Sequence, residues 1–189
     1  MESALIVSCT KKNSAFFTEM LSAASLNQIV TLQSCGEARR LLLECNFDLV
    51  IINAPLHDES GENLARHIAS KGISQVILVV NSEYFEEVSA VTEDDGVLTI
   101  TKPIDRAVFW SALKLAKSAQ NRIKLMQAKN SKLKQKIEDI RIVDLAKCIL
   151  ISYLSLSEQQ AHRYIEKQAM DMRTTKRAVA EGILKTYEN

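Results

Sequence analysis

Residues 48–53 read DLVIIN and residues 75–80 read QVILVV. Each is a short, continuous apolar run rich in β-branched residues, the pattern of a strand covered on both faces. Parallel sheets bury their strands in that way, because the crossover connections lay helices on both sides. Working outward, Ala4–Cys9 and Gln28–Gln33 are further strands, and Val97–Thr101 is a last one, ended by Lys102-Pro103. Between them lie segments of helical spacing. Ser14–Ser25 turns Phe16, Phe17, Met20, Leu21 and Ala24 inward, and Gly36–Cys45 turns Ala38, Leu41, Leu42 and Cys45 inward. Ser60–Ser70 does the same with Leu64, Ala65 and Ile68, and Tyr84–Ala90 is a weaker acidic helix. The alternation predicts an α/β fold: a doubly wound, five-stranded parallel sheet with right-handed crossovers. Functional side chains in such a sheet belong at the carboxyl ends of the strands.

The pattern changes after Pro103. No proline follows it, and the only later glycine is Gly182. Residues 107–154 predict one long helix. Within it Ala116, Ala119, Ile123, Met126, Asn130, Leu133, Ile137 and Ile140 recur at alternating intervals of three and four, the spacing of a coiled-coil seam. Lys124, Lys129, Lys132, Lys134 and Lys136 flank it. Asn130 falls at an a position if Met126 and Leu133 are d, which favours a parallel, in-register pair and so a homodimer. An amphipathic helix packed on its own chain would show a similar spacing, but it accounts less well for Asn130. Downstream, Ile142–Leu154 ends the long helix. Ser157 can cap a helix from Glu158 to about Met172, and Thr174 or Thr175 can cap Lys176–Lys185. The expected organisation is a sheet domain at 1–118, a coiled-coil linker helix at 119–141 and a small three-helix domain at 142–189.

Charge divides along the same line. Residues 1–113 hold 8 Lys/Arg against 15 Asp/Glu, a net of −7; residues 114–189 hold 16 against 8, a net of +8. The overall +1 conceals a basic module suited to a polyanion, although basic residues also serve merely to solvate a long helix. The 189 residues suffice for two cores, and 47% hydrophobic with 25% charged residues is a globular composition. No apolar run approaches the roughly 18 residues of a bilayer span. Met1–Val7 lacks the basic region of a signal peptide, so a cytoplasmic location is expected. Cys9, Cys35, Cys45 and Cys148 lack zinc-site spacing and read as small apolar residues. His57, His67 and His162 lie far apart. No metal or cofactor is expected. Neither a nucleophile–base pair nor a glycine-rich phosphate loop is evident, which argues against an enzyme.

The order of elements over residues 1–120 resembles the receiver domain of two-component response regulators. The resemblance places the receiver's acidic pair on Ser8 and Cys9, its phosphoacceptor on Asn53, its Ser/Thr on Val80 and its lysine on Lys102, ahead of Pro103. Gly61, eight residues after Asn53, keeps the family's loop glycine, while Pro55 comes earlier than the usual loop proline. Receiver phosphorylation needs a carboxylate nucleophile and a divalent cation held by carboxylate oxygens. The amide of Asn53 cannot form an acyl phosphate, Ser8 and Cys9 are poor ligands for a hard cation, and Val80 has no hydroxyl. Asp58 and Glu59 lie too far along the loop to substitute without rearrangement. The domain is therefore expected to be a pseudo-receiver. That leaves it to dimerise, to bind a regulatory protein or small molecule, or to act as a scaffold without input.

Residues from about 125 to 186 resemble the ANTAR domain of the AmiR and NasR antitermination regulators. The match rests on Ala146-Lys147 with Ile149-Leu150, Leu156-Ser157 with Ala161, Ile165 with Ala169-Met170, and Val179-Ala180 with Ile183-Leu184. Cys148 and Ser155 stand where glycines are common in the family. Ala146, Ala161, Ala169 and Ala180 permit close helix crossings and are expected in the core, as is Met170. Lys147, Arg163, Lys167, Arg173, Lys176 and Arg177 are the candidate RNA contacts, with Tyr164 as a stacking partner. The resemblance implies paired hairpins in a leader transcript as the target, one for each domain of a dimer. The alternative is a DNA-binding response regulator of helix-turn-helix type controlled by a partner protein. It needs a recognition helix with polar base-reading residues, and residues 176–181 offer few.

Overall fold

The computed structural model describes residues 1–24 and 26–187, with Lys11 described by its backbone alone. Ser25, the predicted end of the first helix, lies outside the described residues. Two compact units divide between Leu125 and Met126. The first carries strands β1 (Ser3–Ser8), β2 (Gln28–Leu32), β3 (Leu49–Asn53), β4 (Gln75–Asn81) and β5 (Leu98–Lys102). Helices α1 (Lys11–Ala23), α2 (Cys35–Glu44), α3 (Glu62–Ser70) and α4 (Phe85–Thr92) alternate with them. The sheet is parallel throughout, in the order β2-β1-β3-β4-β5.

Strand period explains the two-sided core. Leu5, Val7, Val50 and Ile52 point to α2, α3 and α4, where Ala38, Leu64, Ile68 and Val88 meet them. Ala4, Ile6, Leu49 and Ile51 point the other way, to Phe17, Met20 and Leu21 of α1 and to Phe109, Leu113 and Ala116. Those last three open α5 (Arg106–Leu154). Each face therefore excludes water, and burying one such Leu, Ile or Phe contributes about 1.5–3 kcal/mol. Gly61 precedes α3 with φ +93°, and a Cβ there would sit 2.9 Å from the Ile52 side chain. Both facts exclude a larger residue.

Three expectations need correction in this unit. Cys45 does not turn inward: it caps the C-terminus of α2 and is exposed. The sheet unit also keeps its hold on α5 beyond residue 118. Gln120 is buried and donates to the Ile73 carbonyl at 2.9 Å, and Lys124 pairs with Asp48 at 2.8 Å. Ala116 is core, not seam.

The second unit contains the later part of α5, then α6 (Glu158–Asp171) and α7 (Lys176–Tyr187). Ser157 caps α6 through a full capping box with Gln160, and Thr175 caps α7 by accepting from the Ala178 amide. Ala146, Leu150, Ala161, Ile165 and Ala180 are its buried core. The alanines allow the helix backbones to approach closely, so little apolar volume fills the centre. Ser155 follows α5 with φ +55°. That left-handed position after a helix favours glycine, a physical reason for the glycine common there in ANTAR domains. Cys148 is exposed, so its departure from glycine costs the core nothing.

Candidate functional site

In the first unit the carboxyl ends of β1, β3 and β5 meet at one cleft. Ser8 lies in register with Asn53 across the β1–β3 pair, and Asn81 pairs with Lys102 across β4–β5. Between β1 and β3 the strand order reverses, and open α/β sheets leave a crevice at such a point. The Asn53 amide donates to the Ser8 hydroxyl at 3.0 Å, and its oxygen, fully buried, has no partner. Lys102 donates to the Ala54 carbonyl. Burial lowers the pKa of that ammonium. Cys9 donates its thiol to the Pro55 carbonyl at 3.1 Å. The structure thus gathers Ser8, Asn53 and Lys102, with Cys9 beside them. Val80 differs: it lines a neighbouring cleft of about 290 Å³ with Pro55, Tyr84 and Val88.

The acidic residues of the following loop are committed elsewhere. Asp58 accepts from the Cys35 and Gly36 amides at 3.0 and 2.9 Å, across the N-terminus of α2. Burial opposes its charge, but those amides hold its carboxyl below the usual range. Glu59 is gripped by two hydrogen bonds from Arg39, which lowers its pKa as well. Neither carboxylate reaches the Asn53 position. The sequence held no local signal for these four bonds, because their partners lie 20 to 23 residues apart.

The receiver resemblance implies a divalent cation at this cleft, and the residues present do not fit one. The candidate donors are a hydroxyl, a thiol and an amide, whereas a hard dication takes carboxylate oxygens. Among the described residues no cluster of His, Cys, Asp and Glu is arranged to hold a metal.

The candidate seam divides between the units. Ile123 is half-buried in the first unit. In the second, Met126, Leu133, Ile137 and Ile140 are 56–66% exposed, and Asn130 is exposed among them.

The basic candidates of the second unit fall into two groups. Three are held by carboxylates and tie helices together. Lys147 on α5 pairs with Asp144 at 2.7 Å and reaches Glu158 of α6 at 3.4 Å. Its bond to Asp144, helped by Glu158, raises its pKa. Lys176 of α7 pairs with Glu166 of α6, and Arg177 joins Asp139 of α5 at 2.8 Å and Glu181 at 2.7 Å. The others make no ion pair among the described residues. Arg163 and Lys167 share the outer face of α6, opposite the buried Ala161, Ile165 and Ala169. Tyr164 flanks them at 42% exposure, and Arg173 follows in a left-handed turn with φ +50°. Met170, expected in the core, stands on this face at 71% exposure. Its period decides the matter: it lies one position beyond Ala169, which turns inward.

Residues 131–184 match the model of the ANTAR domain. The chain is 28% identical over 139 residues to the transcriptional regulatory protein PdtaR of Mycobacterium tuberculosis, covering 74% of this chain and 68% of that protein. A two-component transcriptional regulator AraC from Clostridium phytofermentans superposes with TM-score 0.59 at 19% identity, over 66% of this chain and 98% of that one. A CheY-like receiver domain from Methanospirillum hungatei does so with TM-score 0.58 at 18% identity, over 65% and 98%. No described helix is long and apolar enough to cross a membrane. Residues 131–184 are thus similar to ANTAR domains, and the first unit has the fold of receiver domains.

Proposed function

We propose that the protein is a dimeric, RNA-binding regulator of transcription antitermination whose receiver-type domain works without phosphorylation. The observation that carries the RNA reading is the outer face of α6. Among the described residues Arg163 and Lys167 make no ion pair there, and they stand beside an exposed Tyr164 and Met170. Cations that neutralise phosphates, next to an aromatic ring on which an unpaired base can stack, suit a hairpin loop. Arg173, in the turn that follows, extends the same surface. Lys147, Lys176 and Arg177 are better read as the braces of the bundle than as contacts.

Duplex DNA is less well served. A recognition helix reads base edges with polar side chains. On α7, Lys176 and Arg177 are already held by carboxylates, and Ala178, Val179 and Ala180 follow. The exposed row of Met126, Leu133, Ile137 and Ile140 would pair with the same row of a second copy, with Asn130 setting the register. Two RNA sites joined in this way gain avidity through effective concentration, which suits paired hairpins in a leader transcript. Such a protein acts in the cytoplasm on nascent transcripts and catalyses no reaction. With Ser8, Cys9 and Asn53 in place of carboxylates, its input would come from a bound regulatory protein or small molecule.

A gel-shift comparison of hairpin RNA and duplex DNA at several salt concentrations tests this reading. The hairpin should bind more tightly, and Arg163→Ala should reduce the slope of log affinity against log salt by about 0.7–0.9. Tighter binding to duplex DNA would overturn it.

A further inference from the structure

The strand-end cleft has reversed its electrostatic character. It is an open pocket of about 370 Å³, a volume at the lower end of small-molecule sites. Lys12, Asn13, Asn53 and Lys102 line it with Phe16 and Ile104, and no carboxylate does so among the described residues. A pocket with two ammonium groups and two amides repels a metal ion and attracts an anion. The N-terminus of α1 opens at its rim, with no acidic residue in the first turn. That adds the positive end of a helix dipole.

An independent observation points to a missing partner. Asn53 is 3% exposed, lines the pocket, and has only one end of its amide satisfied. The Ser8 hydroxyl can either accept from the amide nitrogen or donate to the amide oxygen. With Ser8 donating to the amide oxygen instead, the NH2 becomes the unpartnered end, and in that orientation Asn53 can donate to an anion. A buried polar group left in that state costs about 1–3 kcal/mol. Lys102 uses one of its three hydrogens on the Ala54 carbonyl, which leaves two for a ligand. Its burial penalises the ammonium, and an anion beside it would relieve that penalty.

We propose that this cleft binds a small organic oxyanion without a metal ion, the head group held by Lys102, Lys12 and the Asn53 amide and a compact apolar body resting on Phe16 and Ile104. The proposal rests on the reading that the domain is not phosphorylated, and it names the chemistry of its ligand. Two head groups share this chemistry, a carboxylate and a phosphate monoester.

The test uses the full chain, ¹⁵N-labelled, titrated with benzoate and separately with phenyl phosphate. The Asn53 side-chain amide is the reporter and calorimetry the second readout. Saturable binding of either anion is expected, and whichever binds more tightly identifies the head group. Benzyl alcohol, with the same ring and no charge, should leave the reporter unmoved. Asn53→Asp returns a negative charge to the pocket and should weaken binding by at least about tenfold. Lys102→Gln should do the same. Lys12 is exposed, so Lys12→Ala keeps the test intact if the buried variants fail to fold; it should weaken binding about threefold. Three results would each overturn the proposal: no saturation by either anion below about 10 mM, equal binding of benzyl alcohol, or affinity unchanged in the folded variants. Failure here is distinct from failure of the phosphorylation reading, which a separate measurement of phosphoryl incorporation decides.

Discussion

The two units of this chain spend their residues in opposite ways. The sheet unit has a deep core on both faces, filled by Phe17, Leu21, Ile52, Leu64, Leu78 and Phe109, while its strand-end cleft holds a hydroxyl, a thiol and an amide. Among its described residues the ANTAR unit has five fully buried core side chains, three of them alanines, and it braces its helices with ion pairs. Fold and chemistry are therefore separable in the first unit. Apolar strand faces specify a receiver fold whether or not its carboxylates are present. In the second unit they are entangled, because the charges that stabilise the bundle resemble those that would bind a polyanion.

The largest expected effect breaks that symmetry of dependence. Leu150 is buried at the centre of the small core, and Leu150→Ala should cost about 2–5 kcal/mol. That is a large part of what so small a unit commands. Hydrogen exchange should show residues 142–187 losing protection while strands β1–β5 keep theirs. Simultaneous loss in both would mean that the units do not fold separately.

Next in size is the exposed row of α5. Leu133→Glu with Ile137→Glu should yield monomers in sedimentation and weaken binding to a two-hairpin RNA by about a hundredfold, with the melting of the sheet unit unchanged. A dimer that persists would place the interface elsewhere.

Left-handed residues supply a third contrast. The sheet unit places Gly61 where φ is +93° and a Cβ would strike Ile52. The ANTAR unit places Ser155 at φ +55°. Gly61→Ala should destabilise by about 1–3 kcal/mol, whereas Ser155→Gly should stabilise by about 1 kcal/mol. Thermal unfolding of each variant checks both signs, and a destabilised Ser155→Gly would show that the serine makes an interaction that its backbone strain conceals.

The smallest effect concerns pH. Asp48, Asp58 and Glu59 have pKa values lowered in the folded sheet unit. A depressed carboxylate contributes stability above its unfolded value, and the contribution is lost as pH falls through the folded one. The sheet unit should therefore be level from about pH 5 to 7 and weaken below about pH 4. Asp58→Asn should flatten that decline.

Most of the fold was legible in the sequence because it depends on period. DLVIIN and QVILVV announced buried parallel strands, and the Ser157 cap marked the start of α6. Where local signals were weak or partners distant, the reading failed. Met170 was misplaced because one residue of helical phase separates the core from the outer face. Ala116 read as seam because a heptad repeat continues smoothly into a stretch that the sheet buries. The cleft was legible as a set of missing carboxylates. The half-satisfied Asn53 amide and the capture of Asp58 by the α2 amides were not, since each joins residues remote in sequence.

The separation of receiver fold from receiver chemistry is tested most directly by incubating the intact protein with acetyl phosphate and magnesium and recording its mass. The mass should remain that of the unmodified chain, with no phosphoryl group gained. A stoichiometric phosphoryl adduct in the first unit would contradict the account, because it would show that a cleft built on Ser8, Cys9 and Asn53 still carries out the chemistry that its residues lack.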